Sequence, residues 1–484
     1  MRVLAPAACL GILGAHAAPV TGAESIETVS VDCSVMQGML PRIERFNNVA
    51  DWDAFPNERK SDVQFYNSEG LHGELYRVWI SVDEIYDPSS KKYDYSKYAG
   101  YLADVSEITE SLMVNVSARG LTGGWGLPPE QCRLILSRIF VDLKRAFPKI
   151  KYIEALNEPD YKKNFTPTSY YGYYKVFYEA VNDANKALQP AVPLQVGGPV
   201  TAQFDLTWMR AFLDGYKNDP SPGKRIDFIS YHAYFVKPAT TYVFFKNNPS
   251  LVKVQRAQLD AELRARGIRE DMPVYITETG LYPGPLFDDI TTMRTDHLRQ
   301  AAGMASLFYW FMESHDTHPL NWVLRHRKEG RKDQLVTRDA SGKQMVYTEK
   351  LTPYGNMLLM LSKMKKMRVS AVPSGALIEG KGLYALASTD PSGVSVMLWN
   401  YQGKSSLGLN AIVRINHMPS SFDGSAIRVQ TYRIDSQTSN YHADLNNCNL
   451  QKVEDTTVAP SELFETQLSL EANSLQLVVL EPTR

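Results

Sequence analysis

The chain carries its clearest structural signal in Lys151-Tyr152-Ile153-Glu154-Ala155-Leu156-Asn157-Glu158-Pro159-Asp160. Its apolar residues predict a strand, and Asn157-Glu158-Pro159 ends it because proline cannot continue a central strand. Glu158 is therefore expected at the carboxyl end of a strand, directly after an amide that can hydrogen-bond a ligand. In a barrel of parallel strands, such ends build the active site. An isolated Asn-Glu-Pro would indicate only a polar turn.

A second stretch of the same form is Val274-Tyr275-Ile276-Thr277-Glu278-Thr279-Gly280. Glu278 ends the seventh predicted strand, as Glu158 ends the fourth. In a closed barrel both ends face one cleft. Two carboxylates that flank a bond are the equipment for glycoside hydrolysis, since one protonates the leaving oxygen while the other attacks or activates water. The pair therefore predicts a glycosidase.

Predicted strands and helices alternate from about residue 45 to residue 364, which indicates parallel βαβ units. Eight units favour an α/β fold of the (β/α)8 TIM barrel type, with a helix over 291–304 and the eighth strand at 307–312. No Gly-x-Gly-x-x-Gly follows an early strand, which argues against a dinucleotide-binding fold. From Arg368 onwards, short alternating runs predict an antiparallel β-sandwich. The expected divisions are a signal peptide at 1–18, an N-terminal strand at 19–40 associated with the β-domain, the barrel at 41–366 and the β-sandwich at 367–484.

The first residues have the features of a secretory signal. Arg2 precedes an apolar run at 3–13, and Ala15-His16-Ala17 forms a cleavage site of the small-x-small type. No later run approaches the ~20 apolar residues of a membrane span. The formal net charge of −1 gives no support to nucleic-acid or membrane-surface binding. We expect a secreted protein.

Three cysteines remain after the signal, and an odd number suggests one disulfide and one buried thiol. Cys132 lies in a predicted helix, so the favoured bridge joins Cys33 to Cys448. Glycosylation sequons begin at Asn115 and Asn164. Asn115 lies inside a predicted strand and is expected to be unused.

Asn157-Glu158-Pro159 and the strand-end Glu278 resemble the signature of the glycoside hydrolase clan A barrels. The combination of a secreted barrel with a late β-domain most resembles family 39, which includes β-xylosidases and α-L-iduronidases. The resemblance implies that Glu158 is the acid/base, that Glu278 is the nucleophile and that the anomeric configuration is retained. The acid then needs a raised pKa, which burial and nearby negative charge provide.

Further positions resemble residues that serve the sugar in this clan. Arg77 stands in an apolar strand, where the clan has an arginine that can hydrogen-bond the nucleophile. Ser230, His232 and Tyr234 share one face of the sixth strand by alternation, and the clan uses a histidine and a tyrosine there. Trp310 resembles the eighth-strand tryptophan on which a sugar stacks. The expected substrate-binding residues are Asn157, Arg77, His232, Tyr234 and Trp310, with Trp125 and Trp322 as weaker candidates.

The substrate stays open because Thr277-Glu278-Thr279-Gly280 lacks the aromatic residue or asparagine of close xylosidase relatives. A β-xylosidase-like hydrolase is the first expectation. One alternative is a hydrolase of uronic-acid-containing or exopolysaccharide glycans, because a basic loop over the cleft would bring acid-binding residues: Arg325, Arg327 and Lys328. Another is a catalytically inactive carbohydrate-binding barrel.

Two histidines raise the possibility of a metal site. His315 and His318 lie three residues apart, but they lack an obvious third ligand, and the clan mechanism needs no metal. We therefore expect no metal or other cofactor. The expected partner is a carbohydrate substrate, with no nucleic acid and no membrane, and the oligomeric state is left open.

Overall fold

The computed structural model describes residues 25–50, 52–117, 120, 126–234, 248–282, 294–326, 332–340 and 343–483. The strands, in chain order, are β1 (Ser25–Met39), β2 (Phe46–Asn48), β3 (Gly73–Ser81), β4 (Tyr86–Asp87), β5 (Lys92–Tyr93), β6 (Thr109–Ser117), β7 (Ile150–Ala155), β8 (Gln195–Thr201), β9 (Phe228–Ala233), β10 (Val274–Thr279), β11 (Thr317–Asn321), β12 (Leu335–Ala340), β13 (Lys343–Leu351), β14 (Met367–Pro373), β15 (Gly382–Asp390), β16 (Gly393–Tyr401), β17 (Leu409–Asn416), β18 (Ala426–Ile434), β19 (Gln451–Val458), β20 (Phe464–Leu470) and β21 (Leu475–Thr483).

The α-helices are α1 (Pro56–Ser68), α2 (Val82–Ile85), α3 (Ser96–Glu107), α4 (Pro129–Ala146), α5 (Tyr170–Leu188), α6 (Leu206–Asn218), α7 (Leu251–Ala265), α8 (Arg294–Met312) and α9 (Pro353–Ser362). In the described part of the chain, no helix is both long enough and apolar enough to span a bilayer.

Eight parallel strands close into a barrel in the order β2, β3, β6, β7, β8, β9, β10 and β11. The predicted (β/α)8 barrel with a separate antiparallel sheet domain is confirmed. The helices pack outside the strands through their apolar stripes. In α4, for example, Pro129 stands in the first turn, and Leu136, Ile139 and Leu143 are buried at helical spacing.

The second sheet has nine strands in the order β19, β18, β21, β16, β15, β14, β1, β17 and β20. The N-terminal strand β1 lies between β14 and β17, antiparallel to the first and parallel to the second. Residues of distant strands, among them Val29, Val413 and Val478, share one core, so the sheet is curled over itself. Trp399 packs in the barrel's core instead and donates a hydrogen bond to Ser306 of α8 (2.9 Å).

The sequence-based prediction of a helix over 291–304 and a strand at 307–312 is wrong. Residues 294–312 form the single helix α8, and the eighth barrel strand is β11, five residues further on. The cause is burial: α8 lies between the barrel and the second sheet, so apolar residues occupy several of its faces. A helix that is apolar nearly all round has no period to distinguish it from a buried strand.

The expected bridge between Cys33 and Cys448 is also wrong, because Cys33, Cys132 and Cys448 are all free thiols. Cys33 belongs to the core of the second sheet, whereas Cys448 packs beside Val336 in a separate cluster. The two thiols serve as small apolar side chains in different cores.

The two sequons differ in exposure. Asn115 is fully buried and donates a hydrogen bond to Glu154, so it is inaccessible to glycosylation. Asn164 is exposed.

Candidate active site

The barrel interior is built in layers, because every second residue of each strand points inward. The lowest layer is apolar and plugs the barrel. Gly197 occupies the position of β8 in this layer, where a Cβ would lie 2.4 Å from the ring of Phe228. The plug consists of Phe46, Leu75, Met113, Tyr152, Phe228, Tyr275 and Leu320.

Two residues further along these strands the interior turns polar. Arg77 follows Leu75, Asn115 follows Met113 and Glu154 follows Tyr152, and all three polar side chains are completely buried. Two residues further along, the strands reach the cleft, where Trp79 and His232 lie. The alternation that fills the barrel thus also places a charged layer directly under the site.

Glu158 follows the fourth barrel strand in a tight turn. Its backbone has a φ of 50°, and Leu156 just before it has a φ of 72°. Left-handed backbone at residues other than glycine is uncommon and concentrates at functional sites. The amide of Glu158 donates to the carbonyl oxygen of Val200 (3.0 Å). The turn holds the carboxylate partly exposed while its neighbours are buried.

Arg77 is the centre of the polar layer, and its donors have three principal acceptors. Nε donates to Glu154 Oε2 (2.7 Å), Nη1 to Glu278 Oε1 (2.7 Å) and Nη2 to Asn157 Oδ1 (2.8 Å). The guanidinium therefore binds Glu278 and orients Asn157. Because the carbonyl oxygen of Asn157 accepts from Arg77, its amide NH2 is the group that can donate to a ligand.

Glu154 is a third carboxylate that the sequence analysis missed. It accepts from Arg77 and from Asn115 Nδ2 (3.0 Å). Burial alone would raise the pKa of Glu154, but the charge of Arg77 and the hydrogen bond from Asn115 hold it below its usual value. Glu154 is thus ionised at neutral pH. The available signal was the alternation itself, which places Glu154 on the inward face with Tyr152.

His232 lies between the two strand-end glutamates. Its Nδ1 is 3.1 Å from Glu158 Oε1, and its Nε2 is 3.6 Å from Glu278 Oε1. Burial alone would lower the pKa of His232, but the charge of Glu278 and the contact with Glu158 raise it. The imidazole is therefore favoured in its protonated form.

The expectation of a raised pKa at Glu158 is wrong for this structure. Burial would raise the pKa of Glu158, but the hydrogen bond and the charge of His232 hold it below its usual value. His232, whose pKa is raised, lies one hydrogen bond away from Glu158 and can supply the proton that an acid at this site needs. The titrations of the two groups are coupled.

The two glutamates are close enough to act on one bond. One oxygen of Glu158, one of Glu278 and a ring nitrogen of His232 all lie within 4.8 Å of one another. Retaining glycosidases hold their carboxyl groups about 5–5.5 Å apart, whereas inverting enzymes need a wider gap for water.

The same three groups could in principle ligate a divalent cation. However, the guanidinium of Arg77 already hydrogen-bonds Glu278 Oε1, and a second positive charge there would be repelled. His318, one of the two histidines considered as metal ligands, lies away from these carboxylates. It contacts Asp316 (2.9 Å) at the amino-terminal end of β11, which is the opposite end of the barrel from Glu158.

Aromatic residues surround the nucleophile position. Burial and the charge of Glu278 raise the pKa of Tyr234, so this phenol stays neutral beside the carboxylate. The ring of Trp322 stands perpendicular to those of Tyr234 and Trp79, with centroid distances of 6.3 and 5.4 Å. The guanidinium carbon of Arg77 lies 4.4 Å from the centroid of Trp79. Trp322 and Trp79 thus form an aromatic wall next to the carboxylates.

Trp310 is not part of this wall, contrary to the prediction. It lies on α8, and its Nε1 donates to the hydroxyl of Tyr384 in the second sheet (3.2 Å). The tryptophan that follows the true eighth strand is Trp322, which the sequence ranked as a weaker candidate. This error follows directly from the misplaced strand. Trp125 lies outside the described residues.

Arg325 does not face a ligand either. It is fully buried and donates to both oxygens of Asp62 (3.0 Å each) and to the carbonyl oxygen of Tyr347 (3.0 Å). The prediction that it could recognise an acidic sugar is therefore wrong. Arg327 and Lys328 lie outside the described residues.

A parallel barrel with paired carboxylates at its fourth and seventh strands has the equipment of a glycosidase. The family model of glycosyl hydrolases family 39 matches residues 148–295, which include both glutamates. The resemblance inferred from the strand-end motifs is thereby confirmed. Comparison with curated proteins gives no significant match.

Solved structures show the same fold. A bacterial orthologue of human α-L-iduronidase superposes with a TM-score of 0.73 at 14% identity, over 95% of this chain and 84% of that one. The GH39 enzyme from Xanthomonas axonopodis pv. citri gives 0.69 at 13% identity, covering 96% and 98% of the two chains. A monomeric β-xylosidase from Caulobacter crescentus CB15 gives 0.66 at 13% identity, covering 95% and 100%.

Proposed function

We propose that the protein is a retaining glycoside hydrolase that cleaves a β-xyloside or a closely related neutral glycoside by double displacement. One observation carries the proposal: one oxygen of Glu158 and one oxygen of Glu278 lie within 4.8 Å of each other, and a ring nitrogen of His232 lies within the same distance of both. The similarity to a β-xylosidase supports the choice of sugar.

In the first step Glu278 attacks the anomeric carbon while the leaving oxygen takes a proton from Glu158. Arg77 donates to Glu278 and fixes the oxygen that it binds, and Tyr234 lies beside the same carboxylate. The proton reaches Glu158 from His232 along their contact. The bond to the leaving group breaks as the ester bond to Glu278 forms.

In the second step water replaces Glu278 on the sugar. Forming the ester removes the negative charge of Glu278, so the pKa of the neighbouring His232–Glu158 pair falls. Glu158 is then a carboxylate that can take a proton from the attacking water. The Glu278 carboxylate leaves, and the proton returns to the His232–Glu158 pair. The anomeric configuration is retained after two inversions.

The test is hydrolysis of an aryl glycoside panel by the wild type, Glu278→Ala and Glu158→Ala. We expect Glu278→Ala to lose turnover, and azide to restore it with release of the glycosyl azide of inverted configuration. With Glu158→Ala, azide should yield the azide of retained configuration. Glu130→Gln is the matched control, because Glu130 pairs with Arg133 on the exposed face of α4. Exchange of the two azide products would reverse the proposed roles.

The competing class is an inactive carbohydrate-binding barrel. A lectin has no need of an acid and a nucleophile held at reacting distance, which favours the enzyme. If the wild type and both glutamate variants bind sugars equally and none turns over, the binding protein is the correct reading. A uronic-acid or exopolysaccharide hydrolase is the enzyme alternative, and it loses support because Arg325 pairs with Asp62.

We also propose that the chain is exported and that Asn164 can carry a glycan. Arg2, the apolar run at 3–13 and Ala15-His16-Ala17 support export, and the exposure of Asn164 supports modification. The mature amino terminus is expected near Ala18 by protein sequencing. A mass shift that endoglycosidase removes, and that Asn164→Gln abolishes, would identify the glycan.

A further inference from the structure

A cavity of about 340 Å³ opens at the carboxyl ends of the first three barrel strands and the eighth. This volume is at the lower end of those that hold small ligands. The lining residues that matter below are Trp79, Trp322, Ser81, Ser117 and Glu84.

Two of these residues connect the cavity to the catalytic carboxylates. Trp322 contacts Tyr234, whose phenol lies beside Glu278. Trp79 packs against the guanidinium of Arg77, which binds Glu278. Each of the two tryptophans that line the cavity is thus separated from the nucleophile by one side chain, Tyr234 in the case of Trp322 and Arg77 in the case of Trp79.

Glu84 is the carboxylate of this cavity, and its geometry is fixed. It lies on α2 with its side chain 43% exposed. Lys97 Nζ donates to Oε1 (2.5 Å), and the hydroxyl of Tyr98 donates to Oε2. Tyr98 is itself held by the amide of Ser81 (3.0 Å). Glu84 thus holds its carboxylate at the cavity wall in a fixed position, with Lys97 as its ion-pair partner.

The lining matches the groups of a neutral sugar. Indole rings pack against the apolar face of a sugar ring. Carboxylate oxygens accept hydrogen bonds from hydroxyl groups, while serine hydroxyls both donate and accept them. A uronate would instead bring a second carboxylate towards Glu84.

The described cations around the cleft are already engaged. Arg77 binds Glu154 and Glu278, Arg325 binds Asp62, and Lys97 binds Glu84. Lys332 is buried among aromatic rings, 4.1 Å from the centroid of Tyr234 and 4.2 Å from that of Tyr282. Of these cations, Lys332 is the one to test as a binder of an acidic sugar.

We propose that the Trp79–Trp322 cavity binds a sugar unit of the substrate and that Glu84 makes this subsite select neutral sugars over uronates. The inference rests on the proposed glycosidase function and adds the class of sugar. Glu84 acts on specificity and takes no part in the bond change.

The test compares aryl β-xyloside, β-glucoside and β-glucuronide, since the last two differ only in the group at C6, and adds an aryl α-L-iduronide. We expect the wild type to favour the neutral substrates. Glu84→Gln should raise kcat/KM for a uronide about tenfold, mainly through KM, because it removes one facing charge. For the neutral substrates kcat/KM should instead fall, because the carboxylate that accepts from sugar hydroxyls is lost, and Glu130→Gln should change neither class.

Two results would overturn the inference. One is an unchanged ratio of uronide to neutral kcat/KM in Glu84→Gln. The other is a wild-type preference for uronides that Lys332→Met removes. Thermal melts of each variant exclude misfolding as the cause.

A binding measurement separates this inference from the proposed function. Calorimetry on Glu278→Gln needs no turnover, so it reports on the cavity even if no aryl glycoside is hydrolysed. We expect xylobiose to bind, Trp79→Ala to weaken it, and glucuronic acid to bind only when Glu84→Gln is also present. Absence of all binding, or equal binding of the acid without Glu84→Gln, would contradict the inference.

Discussion

Among the described residues of the barrel, Arg77 and Arg325 are fully buried, and they differ in what surrounds their charge. Arg325 has one carboxylate partner, Asp62, bound through two hydrogen bonds, and backbone carbonyls and Thr337 take its remaining donors. Arg77 has two carboxylate partners, Glu154 and Glu278, and the second of these reaches the cleft.

The difference lies in charge balance. In the Arg325 cluster one positive charge balances one negative charge. The cluster therefore holds the chain after β11 against α1. The Arg77 cluster holds an excess negative charge directly beneath Glu158 and His232. Buried charge that is paired one to one supports structure, whereas an unbalanced cluster shifts the pKa of its neighbours. The following variants test that contrast.

The largest difference is expected between Arg77→Met and Arg325→Met. Arg77→Met leaves Glu154 and Glu278 without their cation, so kcat should fall on the order of 10³-fold or more even for folded protein. Arg325→Met should lower the free energy of unfolding by about 3–5 kcal/mol because Asp62 loses its partner. Its kcat should stay within about threefold of the wild type. Steady-state kinetics and chemical denaturation check both, and an equal loss of kcat in both variants would remove the contrast.

The next effect concerns Glu154→Gln, with Asp62→Asn as its control. Removing the charge of Glu154 should reduce kcat/KM by about 10–100-fold. A lost negative charge lowers the pKa of the His232–Glu158 pair, so the alkaline limb of the pH–rate profile should move to lower pH. Asp62→Asn should destabilise the fold and leave both limbs in place. A Glu154→Gln profile that is merely scaled down at every pH would mean a purely structural role.

His232→Gln shifts the same limb in the same direction and further. Without the imidazole the pair loses the group that holds its proton at higher pH, so the alkaline limb should move to lower pH, towards the pKa of Glu158 alone. We expect kcat to fall about tenfold, because the proton store is lost although the acid remains. An alkaline limb that stays in place would show that His232 does not share the proton of Glu158.

The smallest effects separate the two tryptophans. Trp322→Phe should raise KM several-fold, because about 1 kcal/mol of packing against the sugar is lost. The Tm of this variant should stay nearly unchanged. Trp310→Phe should lower Tm by a few degrees, since it breaks the bond to Tyr384, with KM unchanged. Steady-state kinetics and thermal melts check both variants. If Trp310→Phe raised KM and Trp322→Phe lowered Tm instead, Trp310 would belong to the site.

The barrel and its two strand-end glutamates could be predicted from sequence because their signals are local. Strand and helix alternate in the chain itself, and the strand ends are marked by Pro159 directly after Glu158 and by Gly280 two residues after Glu278. The signal fails at α8, where contact with the second sheet covers the face that would otherwise be polar. Because the eighth strand was predicted too early in the chain, the tryptophan of the site was expected to be Trp310, whereas it is Trp322.

The charged layer could be predicted only in part: the resemblance indicated the contact between Arg77 and Glu278, but the place of Glu154 beside Arg77 was missed because the bonds of this layer join distant parts of the chain. Arg77 and Glu154 are 77 residues apart, and Arg77 and Glu278 are 201 residues apart. Only closure of the barrel brings them together. The same holds for Arg325. In the sequence it belongs to a basic loop, but its partner is Asp62, which lies 263 residues earlier in the chain. Spacing alone cannot distinguish a buried partner from an exposed charge.

The central claim is that Glu278 is the nucleophile of a retaining reaction. It is tested most directly by mass spectrometry of peptides after exposure to a panel of 2-deoxy-2-fluoro glycosides, which trap the glycosyl-enzyme. We expect one fluorosugar, of neutral type, on the peptide that contains Glu278, and no label on Glu158. A label on Glu158, or hydrolysis of the substrate with no covalent intermediate and inverted product, would contradict the account.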